Sequence, residues 1–259
     1  MLIDFIRDLA AKGRSCFTSK DIEKLKNSSP IAIKAALRRL QKKGEIAMPY
    51  RGFYVIVPPE YRADGCIPAE QFIPDLMEHL DEVYYAGLLS AAEYHGAAHQ
   101  RPQVFQVVVA ESRRPIQCGK IRVQFVFRKN AARIAKEPRN TPTGILKIST
   151  PEATAFDLIG YVQHCAGLDN VATVLAELAE KIDAGCLLET AKLSPIAWVQ
   201  RLGYLIEFVG AHEKAEGIAG YIQKKHPVRT PLVPARAVKG AMMVSRWRVF
   251  VNAEVEPDV

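Results

Sequence analysis

Residues 29–44 read as one helix whose two sides have opposite chemistry, and few folds have a use for such a rod. Ser29 is a good N-cap, because its hydroxyl can accept from an otherwise unpaired amide of the first turn, and Pro30 at the first helical position has no amide to satisfy. Gly44 supplies the stop. Between them Ile33, Ala36, Leu37 and Leu40 fall at i, i+3, i+4 and i+7 and form an apolar stripe, which leaves Lys34, Arg38, Arg39, Gln41 and Lys42 turned elsewhere. In front of this helix Thr18, with Asp21 three residues on, resembles a capping box. Ile22 and Leu25 form the buried side of the short helix it opens, and Lys26-Asn27-Ser28 forms the turn. Upstream, Leu2, Phe5, Ile6 and Leu9 repeat at helical spacing until Gly13. After Gly44, residues 45–48 and 53–57 read as two short strands joined by Pro49-Tyr50-Arg51-Gly52, with turn chemistry at Pro49 and Gly52. Three helices and a two-stranded wing make a winged helix-turn-helix.

In that arrangement the second helix of the pair enters the DNA major groove with its N-terminal part toward the bases, and basic groups further along reach phosphates. Ile31, Ala32, Lys34, Ala35 and Arg38 are thereby assigned near base edges. The full candidate DNA-binding set adds Thr18, Ser19, Lys20, Ser29, Arg39 and Lys42, together with Tyr50 and Arg51 at the wing tip. Arg51 there can reach backbone or minor groove, or be a solvated loop residue.

Charge is distributed in blocks. Residues 1–62 carry thirteen Lys+Arg against six Asp+Glu, so the formal +7 of the whole chain sits on this segment. Beyond it, residues 64–100 hold seven acids and no base, residues 101–150 hold eleven bases and two acids, and residues 151–223 are again acidic. The basic block suggests a second polyanion or partner face through Arg113, Arg114, Arg128, Lys129 and Arg133, or else pairing with the acidic blocks inside one domain. The five cysteines are scattered without a Cys-x-x-Cys pair and read as reduced packing residues. No apolar run approaches the ~20 residues needed to span a bilayer, and Asp4 and Asp8 interrupt any signal-peptide pattern, so a cytoplasmic protein with no membrane contact is expected.

Pro58 to Gly65 shifts toward turn formers and marks the expected boundary between a DNA-binding domain at 1–62 and a larger α+β domain at 63–259. In the second part Pro74 is expected to open a helix over 75–80, and 84–94 to form another. Strands are expected at 103–110, 120–127 and 145–148. In the second of these Ile121, Val123, Phe125 and Phe127 alternate against Arg122, Gln124, Val126 and Arg128. Thr150 then caps a helix with Pro151 at its first position. Further helices are expected at 171–184, 187–192, 196–211 and 218–222, and a final strand at 242–251. The fold class is α+β: an N-terminal winged helix-turn-helix followed by a larger mixed domain.

Several segments carry a family resemblance. The winged helix ending in Arg51-Gly52-Phe53-Tyr54-Val55 resembles the start of the AbiEi-type antitoxins of abortive-infection systems. So does Tyr84-Tyr85-Ala86-Gly87-Leu88-Leu89-Ser90-Ala91-Ala92-Glu93-Tyr94-His95-Gly96, followed by Gln100-Arg101-Pro102 and a strand. The run Ser149-Thr150-Pro151-Glu152-Ala153-Thr154-Ala155-Phe156-Asp157-Leu158 is similar to the family's later helix opening. The resemblance extends to about residue 210. It implies a bacterial antitoxin and autorepressor that binds inverted repeats of double-stranded DNA in its own promoter. It also implies neutralisation of a cognate nucleotidyltransferase-like toxin by the C-terminal domain, with direct contact left open.

Catalysis is not expected. His95 and His99 are four apart near Glu93, but Gly96 interrupts the helix between them and no third metal ligand is evident. His164 and Cys165 are adjacent and so point about 100° apart on a helix. Walker loops, nucleophile elbows and dinucleotide fingerprints are absent, and no cofactor is expected. Two non-enzymatic alternatives stand beside the antitoxin. One is a winged-helix regulator whose C-terminal domain senses a small ligand, without a toxin partner; the other is an interaction module whose winged helix binds protein.

Overall fold

The computed structural model describes residues 2–24, 29–97 and 102–257. Leu25, Lys26-Asn27-Ser28, His99, Gln100 and Arg101, which figured in the sequence reading, lie outside the described residues. The chain divides into two compact units. The first comprises residues 1–85, 103–132 and 138–147, and the second residues 86–102, 133–137 and 148–259.

The first unit begins with α1 (Leu2–Ala11), β1 (Cys16–Thr18), α2 (Ser19–Glu23), α3 (Pro30–Lys42), β2 (Ile46–Tyr50) and β3 (Phe53–Ile56). Leu2, Leu9, Phe17, Ile22, Leu37, Leu40 and Ile46 form their shared core, against which Phe5, Ile6, Ile33 and Ala36 pack. This is the apolar stripe of each helix turned inward, as the spacing requires. β1 has no sequence signal at three residues, yet it pairs antiparallel with β3, giving the order β1-β3-β2. The wing turn is also tighter than expected. β2 runs on to Tyr50 with an irregularity after Ala47, and Tyr50 pairs with Phe53 across a two-residue turn in which Gly52 takes φ +76°.

A three-residue 3-10 turn (Pro59–Tyr61) leads into α4 (Ala69–His79). Pro74 lies inside α4 and does not open it. A mid-helix proline costs roughly 3 kcal/mol. Phe72, Ile73, Leu76 and Met77 on either side of it are fully buried, each stabilising by roughly 1.5–3 kcal/mol. Burial wins, and the helix continues. Six strands follow in the sheet order β6-β7-β5-β4-β9-β8. They are β4 (Tyr84–Ala86), β5 (Phe105–Val109), β6 (Ile116–Cys118), β7 (Ile121–Phe127), β8 (Lys136–Thr141) and β9 (Gly144–Ser149). The ends of β4, β8 and β9 run on into residues of the second unit. β5 and β7 are parallel, and β6 and β7 form a hairpin.

The expected inside-outside alternation of β7 fails at its far end. Val126 and Arg128 are buried and Phe127 is exposed, so at this end the apolar and polar positions have exchanged sides. The expected helix over 84–94 is β4, then Gly87, then α5 (Leu88–Tyr94). The run Tyr84-Tyr85-Ala86 is buried, and a short apolar run of that kind has no periodicity to tell strand from helix.

In the second unit α6 (Pro151–Gly160) lies at the centre, with every residue from Glu152 to Ile159 buried. Thr150 caps it by accepting from the Ala153 amide. α7 (Leu168–Leu178) stops short of the expected 184. A 3-10 turn follows, and Asp183 then caps α8 (Ala184–Lys192) by accepting from the Cys186 amide at 2.9 Å. α9 (Ile196–Phe208) and α10 (His212–Lys225) complete the helices, α10 being far longer than the expected 218–222. The expected single strand at 242–251 is a hairpin of β11 (Met242–Val244) and β12 (Val249–Val251), with β10 (Thr230–Pro231) parallel to β12. Arg248 takes φ +55° at the turn. Trp247, fully buried, lies against Gly203 of α9, where an added Cβ would come within 2.1 Å of the ring.

Candidate nucleic-acid interface

Local chemistry fixes the position of α2 and α3. Thr18 accepts from the Asp21 amide at 3.3 Å, while Asp21 Oδ2 accepts from the Thr18 amide at 2.9 Å and from its hydroxyl at 2.8 Å. The reciprocal capping box is complete. Burial works against the Asp21 charge, but the Thr18 amide and hydroxyl, with help from Arg14 and Lys24, hold its carboxyl below the usual range. Ser29 caps α3 by accepting from the Ala32 amide at 3.2 Å.

On α3, Ile31, Lys34, Ala35, Arg38 and Lys42 follow the spacing i, i+3, i+4, i+7 and i+11. That row is exposed along its whole length, and Ala32 and Arg39 flank it, exposed as well. Ile31, at 83% exposure, is the largest apolar departure from what packing alone would choose. The row from Ile31 to Lys42 spans about 16 Å at the helical rise of ~1.5 Å per residue.

The wing turn is seated on the start of α2. The Ser19 amide donates to the Gly52 carbonyl at 2.8 Å, and a Cβ on Gly52 would meet the Ser19 hydroxyl at 3.2 Å. Lys20 and Arg51, both exposed, flank this contact; Thr18, Ser19 and Tyr50 are half-buried, and Ser29 is exposed. Nothing in the sequence signals the Ser19–Gly52 seating, because it depends on the three-residue β1.

The five cations of the middle block do not form one face. Arg128 is only 4% exposed; its Nε donates to Asn130 and its Nη1 lies 3.5 Å from the Tyr85 hydroxyl. Arg113 is paired through Nε with Glu82. Arg114 and Lys129 are exposed in the first unit, and Arg133 is exposed but belongs to the second. Sequence clustering failed as a guide here because a strand end and a buried carboxylate each took one cation inward.

Of the residues weighed for catalysis, His95 and Cys165 have packing roles. His95 Nε2 lies 2.8 Å from the Ser149 carbonyl, and its Nδ1 lies 3.7 Å from Glu137. The Cys165 thiol is fully buried, and burial, reinforced by the Asp157 charge, pushes its pKa up, the opposite of what a thiolate nucleophile needs. Among the described residues no cluster of three or more His, Cys, Asp or Glu is arranged to hold a metal, and no helix is long and apolar enough to cross a membrane.

Comparison with known proteins matches both parts of the chain. The family model for the transcriptional regulator, AbiEi antitoxin, matches residues 4–57, and that for the AbiEi antitoxin C-terminal domain matches residues 85–208. Together they span more than two thirds of the chain. A crystal structure of the RV2827C protein from Mycobacterium tuberculosis shares the fold, with a TM-score of 0.65 and 17% identity over 95% of this chain and 89% of that one. No curated protein matches.

Proposed function

Because this chain belongs to the AbiEi-type antitoxin and transcriptional-regulator family, we propose that it binds inverted repeats of double-stranded DNA in its own promoter and represses a toxin–antitoxin operon there. Residues 1–62 are the DNA-binding part, and residues 63–259 neutralise a nucleotidyltransferase-like toxin in the cytoplasm. The observation that carries the DNA reading is the exposed row on α3, capped at its groove-facing end by Ser29 and flanked by Lys20 and Arg51. Ile31 and Ala35 offer apolar contact to base edges such as a thymine methyl, Lys34 and Arg38 offer donors to bases, and Arg39 and Lys42 reach phosphates. Tyr50 and Arg51 extend the contact to the groove beside it.

Fluorescence anisotropy with a labelled duplex taken from immediately upstream of the reading frame tests this. Lys34→Ala and Arg38→Ala each lose roughly 1–3 kcal/mol of binding if the side chain reads a base. Wild-type binding by both variants overturns the placement of α3. The same two variants, co-expressed with an adjacent nucleotidyltransferase-like toxin, still restore growth, because neutralisation belongs to residues 63–259; loss of rescue refutes the division of labour.

One feature of the second unit favours a ligand-sensing regulator as the second reading. A cleft of about 620 Å³ lies between α10 and the β11–β12 hairpin, lined by Gln223, His226, Arg246 and Arg248, and Arg248 Nε is sheltered there without a hydrogen-bond partner. That volume lies in the range of small-molecule sites. A ligand-induced rise in melting temperature, lost in Arg248→Ala, would favour this reading over the antitoxin.

A further inference from the structure

Where the segment after the wing crosses the β6–β7 hairpin, two glycines meet. A Cβ on Gly119 would lie 2.0 Å from the Asp64 carbonyl oxygen and 2.9 Å from the Gly65 Cα, so the backbones approach as closely as they can. The Lys120 amide donates to the Asp64 carbonyl at 2.8 Å, and the Lys120 ammonium lies 3.1 Å from the Asp64 carboxylate. The residue next to each glycine is a cysteine. Cys66 is fully buried, Cys118 is half-buried at the end of β6, and their thiols are within hydrogen-bonding reach.

We infer that Cys118 and Cys66 are a peroxide-reactive thiol pair, with Cys118 the first to react and Cys66 the residue that resolves it into an intramolecular disulfide. The two sulfurs are inequivalent. The hydrogen bond from Cys66 draws the Cys118 thiol down, against burial, and the Met48 amide also donates to it; that same bond, with burial, pushes Cys66 up. Cys118 is also the more accessible of the two, and Cys66 is fully buried behind it, the division expected of an attacking and a resolving thiol. Cys118 releases its proton to solvent and its thiolate attacks a peroxide oxygen; the O–O bond breaks, and the hydroxide that leaves takes a proton back from solvent to become water, giving the Cys118 sulfenic acid. Cys66 then attacks the Cys118 sulfur: the S–S bond forms, the S–O bond breaks, and the departing hydroxide takes the Cys66 proton. Two thiols and one hydrogen peroxide give one disulfide and two waters.

The position of the pair gives this reaction a structural consequence. Met48 lies on β2, one strand of the wing. A disulfide sulfur is a weaker acceptor than a thiol or thiolate sulfur, so oxidation weakens the hold of Cys118 on the Met48 amide.

Treating the full chain with hydrogen peroxide, alkylating the remaining thiols and mapping peptides by mass spectrometry tests the pair without reference to DNA. A Cys66–Cys118 cross-linked peptide is expected, formed before exposed Cys186 reacts, because Asp183 pushes that thiol up. In Cys66→Ser the Cys118 sulfenic acid should persist and be trapped by dimedone; in Cys118→Ser peroxide should leave Cys66 reduced. Hydrogen exchange at the Met48 amide should be faster in the oxidised protein and return to its original rate with dithiothreitol. Oxidation of Cys186 ahead of Cys118, a Cys16–Cys66 cross-link in place of Cys66–Cys118, or no trapped sulfenic acid in Cys66→Ser would each overturn the inference. Unchanged exchange at Met48 would overturn its link to the wing.

Discussion

The Gly65–Gly119 crossing can be tested by adding a single methyl group. Gly119→Ala places a Cβ 2.0 Å from a carbonyl oxygen and 2.9 Å from a Cα, and both neighbours are backbone, so neither can swing aside. Two costs add. Holding an L-residue at φ +59° costs roughly 1–2 kcal/mol. Displacing the crossing costs a further ~1–3 kcal/mol, as overpacking does generally, because the bond from the Lys120 amide to Asp64 must lengthen or break. The total is about 2–5 kcal/mol. Gly13→Ala is the matched control, since Gly13 has φ +72° with nothing within 4 Å of its Cβ position. It pays the backbone term alone, and the unfolded-state gain from replacing glycine is common to both variants. Urea denaturation of the full chain should therefore rank wild type, Gly13→Ala and Gly119→Ala in falling stability, the last two separated by about 1–3 kcal/mol. Equal losses would mean that the two backbones are not in contact, and the geometry claimed for the Cys66–Cys118 pair would go with them.

Two further outcomes follow from single side chains. Asp21→Ala should cost about 1 kcal/mol at neutral pH through loss of the capping box. Because the folded carboxyl titrates below its unfolded value of ~3.9, the cap contributes fully above that value and is lost as pH falls through the depressed folded pKa. The gap between wild type and variant in urea melts should close over that acid range, and a gap that persists unchanged below it would contradict the assignment. Glu82→Ala removes a carboxylate only 5% exposed that takes Arg113 Nε and, at 3.1 Å, the Glu111 amide, leaving Arg113 only the exposed Glu111 carboxylate at 3.8 Å. A loss of roughly 3 kcal/mol in thermal or urea denaturation is expected; a change under about 0.5 kcal/mol, the size of an ordinary surface substitution, would show Arg113 to be solvated instead.

What could be read from the sequence follows a physical division. Caps and periodic stripes are written locally, so Thr18, Ser29 and Thr150 each begin the helix that the sequence assigns to them, and the apolar stripe of α3 faces the core. The misreadings sit where distant packing decided the outcome. Pro74 is carried through α4 by the buried residues around it, and β4 is a strand because a sheet covers it. β1 depends on a partner far along the chain, β3. Arg113 and Arg128 illustrate the same limit for the candidate sites: adjacency in sequence says nothing about a carboxylate 31 residues away or a tyrosine 43 residues away. The α3 row was legible because one helix carries all of it, whereas the seating of the wing on Ser19 was not, since it joins two elements through backbone atoms.

The central claim is that α3 and its neighbours present a cationic surface to a duplex. The most direct measurement is the salt dependence of binding to the upstream duplex. Six exposed cations, Lys20, Lys34, Arg38, Arg39, Lys42 and Arg51, lie on this surface. If the four not assigned to bases, Lys20, Arg39, Lys42 and Arg51, meet phosphates, log Kobs should fall against log salt with a slope of about −3.6, and Lys42→Ala should make it shallower by about one. A slope near zero, or one untouched by Lys42→Ala and Arg39→Ala together, would contradict the account.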